Sequence, residues 1–256
     1  MTLTPEAIHR AATELAARRT HARAGSRLPE ADRPLDLDDA WAIQCAVRGL
    51  TGQAIGGWKA SLPSPGKLVA ASINAVDIGR TPHMTAPAIS RAANAAQLNI
   101  EPEIAYVLAT DLPPREAAYT EAEIDAAVGS VHAAIEICNS RYTDATGLPF
   151  VEMMADGQVN AGLWLGPEIA GPEAGHFDLR WQAGEQDAVH LAARHPDGHP
   201  RAPFHWLANF LRERGIGLFA GQVVTTGSYA GLLSAPIGQP LIFDYAGLAS
   251  FSVQFD

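Results

Sequence analysis

The stretch from Asn99 to Leu108 constrains the fold most, because it reads as a β-strand that carries two carboxylates. Its apolar residues run into the turn signal Asp111-Leu112-Pro113-Pro114. Glu101 and Glu103 lie two positions apart, a spacing that places both side chains on one face of a strand. Neighbouring carboxylates stay ionised most easily with a cation between them, and oxygen ligands suit a hard divalent ion such as Mg²⁺. The alternative is a solvated strand end with two surface glutamates.

A third carboxylate lies inside another apolar run. Residues Ala133 to Cys138 read as a second strand, and Glu136 is the one charged residue within it. A lone charge is rarely buried in an apolar strand without a partner. Three carboxylates on two strands could therefore converge as a metal site.

Composition excludes several classes of function. The chain has 256 residues, 47% hydrophobic and 18% charged, which is typical of a globular protein with a sizeable core. The net charge is −10 and no basic cluster is present, so we expect no nucleic-acid partner. No apolar stretch approaches the roughly 20 residues that span a bilayer, so we expect no membrane partner. Dinucleotide and P-loop motifs are absent.

Two further features indicate a cytoplasmic protein. The first ten residues lack the basic start and apolar run of a signal peptide. Cys45 and Cys138, the two cysteines, both lie in apolar surroundings and read as reduced, buried residues.

Hydrophobic patterning divides the chain into two parts. Pro5 to Arg23 and Leu35 to Thr51 have helical patterns, so residues 1–54 are predicted to form an N-terminal helical region. Residues 55–256 contain many short strand patterns and are predicted to form a β-rich catalytic domain. Within it, Leu68 to Ile73 reads as one or two turns of helix.

Lys59 follows Trp58 in a short apolar strand. Of the 18 basic residues 16 are arginine, which keeps its proton in proteins, so the two lysines are the candidates for proton chemistry. Lys59 could be a desolvated lysine with a shifted pKa or could hold an anionic substrate. Equally, its stem could lie along apolar surface with the ammonium in water.

Two polar segments near the C-terminus invite functional interpretations. His195, His199 and His205 could suggest zinc, but their spacing does not share a helix face, so a loop leading into a helix from Pro203 is favoured. Gly227-Ser228 follows a β-branched strand. Its amides and hydroxyl could hold a carboxylate, or it could be an ordinary turn.

Eight motifs carry a resemblance to a known family, and they are Gly57-Trp58-Lys59, Glu101-Pro102-Glu103, Ala134-Ile135-Glu136-Ile137, Asn160-Ala161-Gly162, Gly198-His199-Pro200, Gly227-Ser228, Gly247-Leu248-Ala249-Ser250 and Val253-Gln254-Phe255. Together they resemble the 2-keto-4-pentenoate hydratase family of the fumarylacetoacetate hydrolase superfamily. That family includes 2-oxohept-3-ene-dioate hydratases and 4-oxalocrotonate decarboxylases. Each motif alone is weak, whereas their order and spacing from about Leu35 to Phe255 are specific.

The resemblance implies an α+β fold, a mixed β-sandwich roll like the C-terminal domain of fumarylacetoacetate hydrolase, with an N-terminal helical region. It implies Mg²⁺ or Mn²⁺ held by Glu101, Glu103 and Glu136. In the family this ion binds a 2-oxo acid, polarises the ketone and stabilises an enolate.

The family's acid/base pair matches Lys59 and Asp77, which implies a lyase that adds water to a 2-hydroxydienoate or 2-oxoenoate in aromatic catabolism. Gly227 and Ser228 resemble its substrate-gripping turn, and Asn160 a substrate-binding position. The resemblance also implies homo-oligomers and complexes with a pathway enzyme.

Some positions depart from the family pattern. Gly157 stands where the family has asparagine, Ala230 where it has threonine, and Pro82-His83 where it has an acidic pair. Ile78 replaces an aromatic residue after Asp77. The substrate could therefore differ from the usual dienoate. A 4-oxalocrotonate-type decarboxylase and a non-catalytic partner subunit are the alternatives, and a carbon–carbon hydrolase is less favoured.

Overall fold

The computed structural model describes residues 2–256, and so all but the first residue of the predicted region 1–54. Its six α-helices are α1 (Pro5–Thr20), α2 (Leu37–Thr51), α3 (Ala88–Ala92), α4 (Glu121–Ala126), α5 (Phe150–Ala155) and α6 (Ala202–Glu213). Among these residues, no helix combines the length and apolar character needed to cross a membrane.

Thirteen strands form the rest of the regular structure. They are β1 (Ile55–Ser64), β2 (Lys67–Asn74), β3 (Ile78–Gly79), β4 (His83–Met84), β5 (Gln97–Leu108), β6 (Val128–Cys138), β7 (Asn160–Glu168), β8 (His176–Ala183), β9 (Val189–Arg194), β10 (Val223–Thr225), β11 (Leu233–Pro236), β12 (Pro240–Tyr245) and β13 (Ala249–Phe255). The two strands predicted to carry the glutamates, β5 and β6, are confirmed.

Local sequence explains where the N-terminal helices begin and end. The Thr4 side chain accepts a hydrogen bond from the Ala7 amide at the start of α1, and Asp36 caps α2 through the Asp39 amide. Gly52 ends α2 with φ of 63°, a left-handed conformation that glycine adopts without strain. Both predicted helices are confirmed.

The prediction of a short helix over Leu68 to Ile73 is wrong. These residues belong to β2, which forms an antiparallel hairpin with β1. The turn is closed at Gly66, whose φ is 74°. Pairing along the length of β1 outweighs the weak local helical pattern, because the β-branched Val69 and Ile73 pack well on a sheet.

The strands form two mixed sheets. The larger has eight strands in the order β2-β1-β10-β5-β6-β7-β3, with β11 also paired to β5. The smaller has five strands in the order β4-β13-β12-β8-β9. Most pairs are antiparallel, while β1–β10, β3–β7 and β13–β4 are parallel.

The two faces of the larger sheet have different roles. One face packs against the smaller sheet, with Ile104, Ile135 and Phe243 in the shared core. On the other face, residues from β2 and β7 come into contact although four strands lie between them in the sheet order. The sheet must therefore curl, and its concave face is where Glu101, Glu103 and Glu136 lie.

The backbones of β1 and β10 approach one another closely at Gly57, which allows a test of the packing in the large sheet. A Cβ at Gly57 would collide with the backbone carbonyl oxygen of Val223 in the neighbouring β10. Gly57→Ala should therefore lower the free energy of unfolding by about 1–3 kcal/mol, measured by urea denaturation. Gly49→Ala is the matched control: nothing lies within 4 Å of its Cβ, and alanine favours the helix. An equal effect of the two substitutions would contradict the prediction.

Candidate active site

The three predicted glutamates lie on the concave face of the large sheet. In the antiparallel register of β5 and β6, Glu101 is opposite Glu136 and Glu103 is opposite Ala134. Directly opposite residues share a face, as do residues two apart along a strand. Glu103 and Glu136 are 1% and 0% exposed, and Glu101 is partly exposed. The arrangement is not a solvated strand end.

Lys59 reaches this group from β1, two strands away from β5. It is in register with Thr225 of β10, which is in register with Ala105 of β5, so all three share the concave face. The Lys59 Nζ donates a hydrogen bond of 2.7 Å to Glu136 Oε1 and one of 3.3 Å to the Gln158 carbonyl. Its side chain is 11% exposed, which excludes an ammonium lying freely in water.

Burial sets the electrostatics of the site. Burial raises the pKa of Glu101 and of Glu103, and neighbouring carboxylates raise both further, while Lys59 opposes the change. Burial alone would lower the pKa of Lys59, but Glu136 and the acidic groups around it outweigh that effect and raise it. One ammonium therefore faces three carboxyl groups, and all three would stay ionised most easily with a further cation among them.

The donor set fits a divalent cation. Glu136 Oε2 is buried without a hydrogen-bond partner, an arrangement that is costly unless something else binds it. Glu101, Glu136 and Cys138 each place one possible ligand atom within 4.8 Å of the others. Glu103 lies on the same face but is not part of that group, and its Oε2 accepts a 3.3 Å hydrogen bond from the Gly227 amide. Carboxylate oxygens grouped in this way are the ligands that Mg²⁺ or Mn²⁺ would require.

Cys138 is a member of this group that the sequence interpretation missed. Its thiol donates to Glu101 Oε2 at 3.6 Å. It lies two residues after Glu136 in β6, so the same period-two argument that paired Glu101 with Glu103 could have placed it on this face. The apolar character of its neighbours led instead to a purely structural interpretation.

Pro102 explains how the Gly227-Ser228 turn approaches the glutamates. The Pro102 carbonyl accepts hydrogen bonds from the Tyr229 amide and the Ser228 hydroxyl, so this edge of β5 faces the turn. Proline offers no amide hydrogen there, and β10 and β11 leave a gap at this position. The turn fills the gap and brings the Gly227 amide onto Glu103.

A turn in the left-handed conformation, residues 157–159, positions the groups that contact Lys59 and Glu136 from outside the strands β1, β5 and β6. Gly157, Gln158 and Val159 have φ of 69°, 53° and 55°, which is costly for the two residues that are not glycine. This conformation points the Gln158 carbonyl at Lys59. It also places Asn160, whose Nδ2 donates a 2.8 Å hydrogen bond to Glu136 Oε1. Asn160 thus contacts a glutamate of the site, beyond its predicted contact with substrate.

A buried ion pair holds this turn. Arg141 Nε donates to Asp156 Oδ1 at 2.6 Å, and the Arg141 amide donates to Asp156 Oδ2 at 3.0 Å. Arg141 Nη1 also donates to the Asn160 carbonyl at 2.8 Å. The side chains of Arg141 and Asp156 are 3% and 0% exposed. The two residues are 15 positions apart along the chain, and their pairing was not predicted.

Asp77 lies apart from Lys59. It ends the 3₁₀ turn Ala75–Asp77 and accepts a 2.8 Å hydrogen bond from Asn74. Within residues 2–256, no hydrogen bond or ion pair joins it to Lys59 or to the three glutamates. It lines a cavity of about 360 Å³ that Ala161, the residue after Asn160, also lines. The glutamates and Lys59 do not line this cavity.

The helix predicted to begin at Pro203 is confirmed as α6, and His195 lies in the loop that precedes it. His195 is buried and within 3.3 Å of the Thr226 hydroxyl, while His205 lies in α6 with its Nε2 2.8 Å from Asp125. Burial lowers the pKa of His195. His195 thus supports the residue before Gly227, a placement that nothing in its local sequence indicates.

Comparisons with curated proteins identify relatives of known activity. The chain is 30% identical over 170 residues to a 2-hydroxyhexa-2,4-dienoate hydratase of Comamonas testosteroni, covering 64% of this chain and 62% of the relative. It is 30% identical over 167 residues to a 2-oxo-hept-4-ene-1,7-dioate hydratase of Escherichia coli, covering 61% of each. The matches thus span less than two thirds of these relatives. No protein-family model matches the chain.

Solved structures share the fold over a longer range. A 4-oxalocrotonate decarboxylase from Pseudomonas putida G7, complexed with magnesium and adipate, superposes with a TM-score of 0.79 at 20% identity, covering 100% of this chain and 99% of the other. A decarboxylase of that name is also a relative by sequence. The sequence resemblance is thereby confirmed: the chain is similar in sequence to these hydratases and to 4-oxalocrotonate decarboxylase, and it shares the fold of that decarboxylase.

Proposed function

We propose that this protein is a metal-dependent hydratase that adds water to a 2-hydroxydienoate or 2-oxoenoate. The observation that carries the proposal is the Lys59 ammonium bound to Glu136 within a group of three carboxylates. Homology to two hydratases supports the same activity. A proton carrier beside an oxygen-rich cation site is what this chemistry needs.

The partnerless Glu136 Oε2 and the grouping of three carboxyl groups on one face support Mg²⁺ or Mn²⁺ as the cofactor. Glu101, Glu103 and Glu136 would hold the ion, which when bound supplies Lewis acidity toward a 2-oxo acid. Asn160 donates a hydrogen bond to one oxygen of Glu136, and the Gly227 amide donates one to an oxygen of Glu103. These hydrogen bonds orient the carboxylates before substrate arrives.

Lys59 and Asp77 are proposed to move the protons. With 2-hydroxypenta-2,4-dienoate, the enol proton leaves and C5 gains a proton, then water oxygen adds at C4 and a proton at C3. Lys59 Nζ holds a proton at the carboxylate group, and the half-buried Asp77 offers an acceptor in the adjoining cavity. Gly227 and Ser228 are proposed to bind the substrate near its carboxylate, and Asn160 to contact it beside Glu136.

An ultraviolet assay tests the proposal. Purified protein with Mg²⁺ or Mn²⁺ should consume the absorbance of a 2-hydroxydienoate and form a hydrated 2-oxo acid, and EDTA should abolish the reaction. Both 2-hydroxypenta-2,4-dienoate and a dicarboxylic 2-hydroxydienoate should be tried. Metal-independent turnover would contradict the role of the glutamates. No turnover of any 2-oxo acid by metal-loaded protein would favour a non-catalytic partner subunit.

A 4-oxalocrotonate-type decarboxylase is the second candidate. Sequence similarity to 4-oxalocrotonate decarboxylases covers 61% of the chain, about as much as similarity to the hydratases, and the fold similarity to one such decarboxylase extends over the whole chain. Both activities use a bound 2-oxo acid, so the site's geometry suits either. Release of CO₂ from 4-oxalocrotonate, without formation of a hydrated product, would assign the decarboxylase activity.

The finer architecture follows the same proposal. We infer a mixed β-sandwich roll, supported by the curled large sheet packed on the smaller one. The division into residues 1–54 and 55–256 stays a prediction, as do the cytoplasmic location, the homo-oligomer and a complex with a pathway enzyme. Size-exclusion chromatography with light scattering would measure the oligomeric state.

A further inference from the structure

The cavity beside the carboxylate group has an unusual lining. It encloses about 360 Å³, within the usual range for small-molecule sites. The C-terminal end of α1 forms one wall with Arg18 and Arg19, and Asp77 and Ala161 lie on others. Ala161 directly follows Asn160, which contacts Glu136, so one wall of the cavity belongs to the same chain segment as a residue of the glutamate group.

Three arginines line this cavity, and two of them are fully engaged. Arg18 donates to Glu14, to the Ser26 carbonyl and to the Arg141 carbonyl. Arg141 is paired with Asp156. The guanidinium groups of both are therefore committed to the fold and have little capacity for a ligand.

Arg19 is the exception. Its Nη2 donates a 2.8 Å hydrogen bond to the Asp156 carbonyl. Asp156 and Asp77 lie close enough to favour the charged form of Arg19, but within residues 2–256 no carboxylate is within ion-pair distance of it, and its side chain lines the cavity. Burial, with Arg141 nearby, lowers the pKa of Arg19 to about 10, so the group is still charged at neutral pH. A desolvated guanidinium without a directly paired carboxylate is stabilised when an anion binds it.

Gly157 makes room for this guanidinium. A Cβ at Gly157 would lie 2.8 Å from Arg19 Nη2, and the φ of 69° already disfavours other residues there. Position 157 is also one of the departures from the family pattern. The glycine and the position of the Arg19 side chain are therefore coupled in this chain.

We propose that Arg19 binds the second carboxylate of a dicarboxylic 2-oxo acid whose 2-oxo acid end occupies the glutamate site. The inference rests on the proposed function and names its substrate class. A guanidinium can donate two parallel hydrogen bonds to a carboxylate, a geometry that lysine cannot reproduce. Arg19 thereby determines specificity for dicarboxylic over monocarboxylic substrates.

Binding of two matched acids tests this inference. 2-Oxoadipate and 2-oxohexanoate have the same length and 2-oxo acid end and differ in the distal carboxylate. Calorimetry with Mg²⁺ should show 2-oxoadipate binding about 10- to 100-fold more tightly, because hydrogen bonds to charged groups are strong. Arg19→Gln should remove this preference and leave 2-oxohexanoate binding unchanged. The control, Arg23→Gln, removes a charge from the exposed residue beyond α1 and should change neither affinity.

Further variants separate binding from folding. Gly157→Ala should weaken 2-oxoadipate selectively by displacing Arg19, and Arg19→Lys should restore part of the preference lost in Arg19→Gln. Thermal unfolding monitors the fold of each variant. Equal affinity of the wild-type protein for the two acids would overturn this inference alone, as would an equal loss of both in Arg19→Gln. Binding of neither acid in the presence of Mg²⁺ would overturn the proposed function as well.

Discussion

Lys59→Met should lower kcat by about 10²- to 10⁴-fold, the contribution typical of a positioned acid or base. Methionine keeps the length and apolar stem of lysine but cannot hold a proton near Glu136 Oε1. The three carboxylates remain in place, since Asn160 still donates to Glu136 and Gly227 to Glu103. Metal binding by calorimetry should therefore persist while turnover in the ultraviolet assay is lost.

The chain offers a matched control for this substitution. Lys67 is the other lysine and is exposed at the start of β2, outside the site. Lys67→Met should leave kcat within about twofold of the wild-type value. Turnover of Lys59→Met equal to that of Lys67→Met would contradict a proton-transfer role. Loss of metal binding together with turnover would instead indicate that Lys59 maintains the geometry of the carboxylates.

Asp156→Ala should lower the free energy of unfolding by about 3–5 kcal/mol, the usual result of leaving a buried charge unpaired. Asp156 accepts from both the side chain and the backbone amide of Arg141, and neither side chain is accessible to water. Removing the carboxylate leaves the buried Arg141 guanidinium without its anionic partner. Urea denaturation followed by tryptophan fluorescence would measure the change.

An exposed ion pair is the comparison for this effect. Arg212 and Glu213 are 3.0 Å apart at the end of α6, and the Glu213 side chain is 61% exposed. Glu213→Ala should cost about 0–1 kcal/mol, because water screens such a pair. A similarly small cost for Asp156→Ala would show that the left-handed turn before Asn160 is held by other contacts.

The sequence predicted that the glutamates of two strands share a face, because the strand period is a local property. Two glutamates at i and i+2 must share a face of β5, and an isolated glutamate in apolar β6 must find a partner. The same reasoning predicted the strands, and the helical pattern of apolar residues predicted α1 and α2. It failed at Leu68 to Ile73, where pairing with β1 decided the conformation.

Other parts of the site depend on the curl of the sheet, which no local pattern encodes. Lys59 and Glu136 are 77 residues apart and reach one another across β10 and β5. From the sequence, the Lys59 ammonium could be either buried in a site or exposed to water. The tertiary structure excludes the exposed arrangement. Asp77 was matched with Lys59 as an acid/base pair, but the structure does not bring the two side chains into contact. Asp77 lines the cavity instead.

The sequence by itself thus determined the chemical groups, their strands and the faces on which they lie, because these follow from residue type and the two-residue period of a strand. The tertiary structure decided which groups meet. In the folded chain Arg141 is buried against Asp156, and Glu136 Oε2 has no hydrogen-bond partner. The Arg19 side chain lines a cavity. Such contacts join residues distant along the chain, and only the packing of the whole fold fixes their distances.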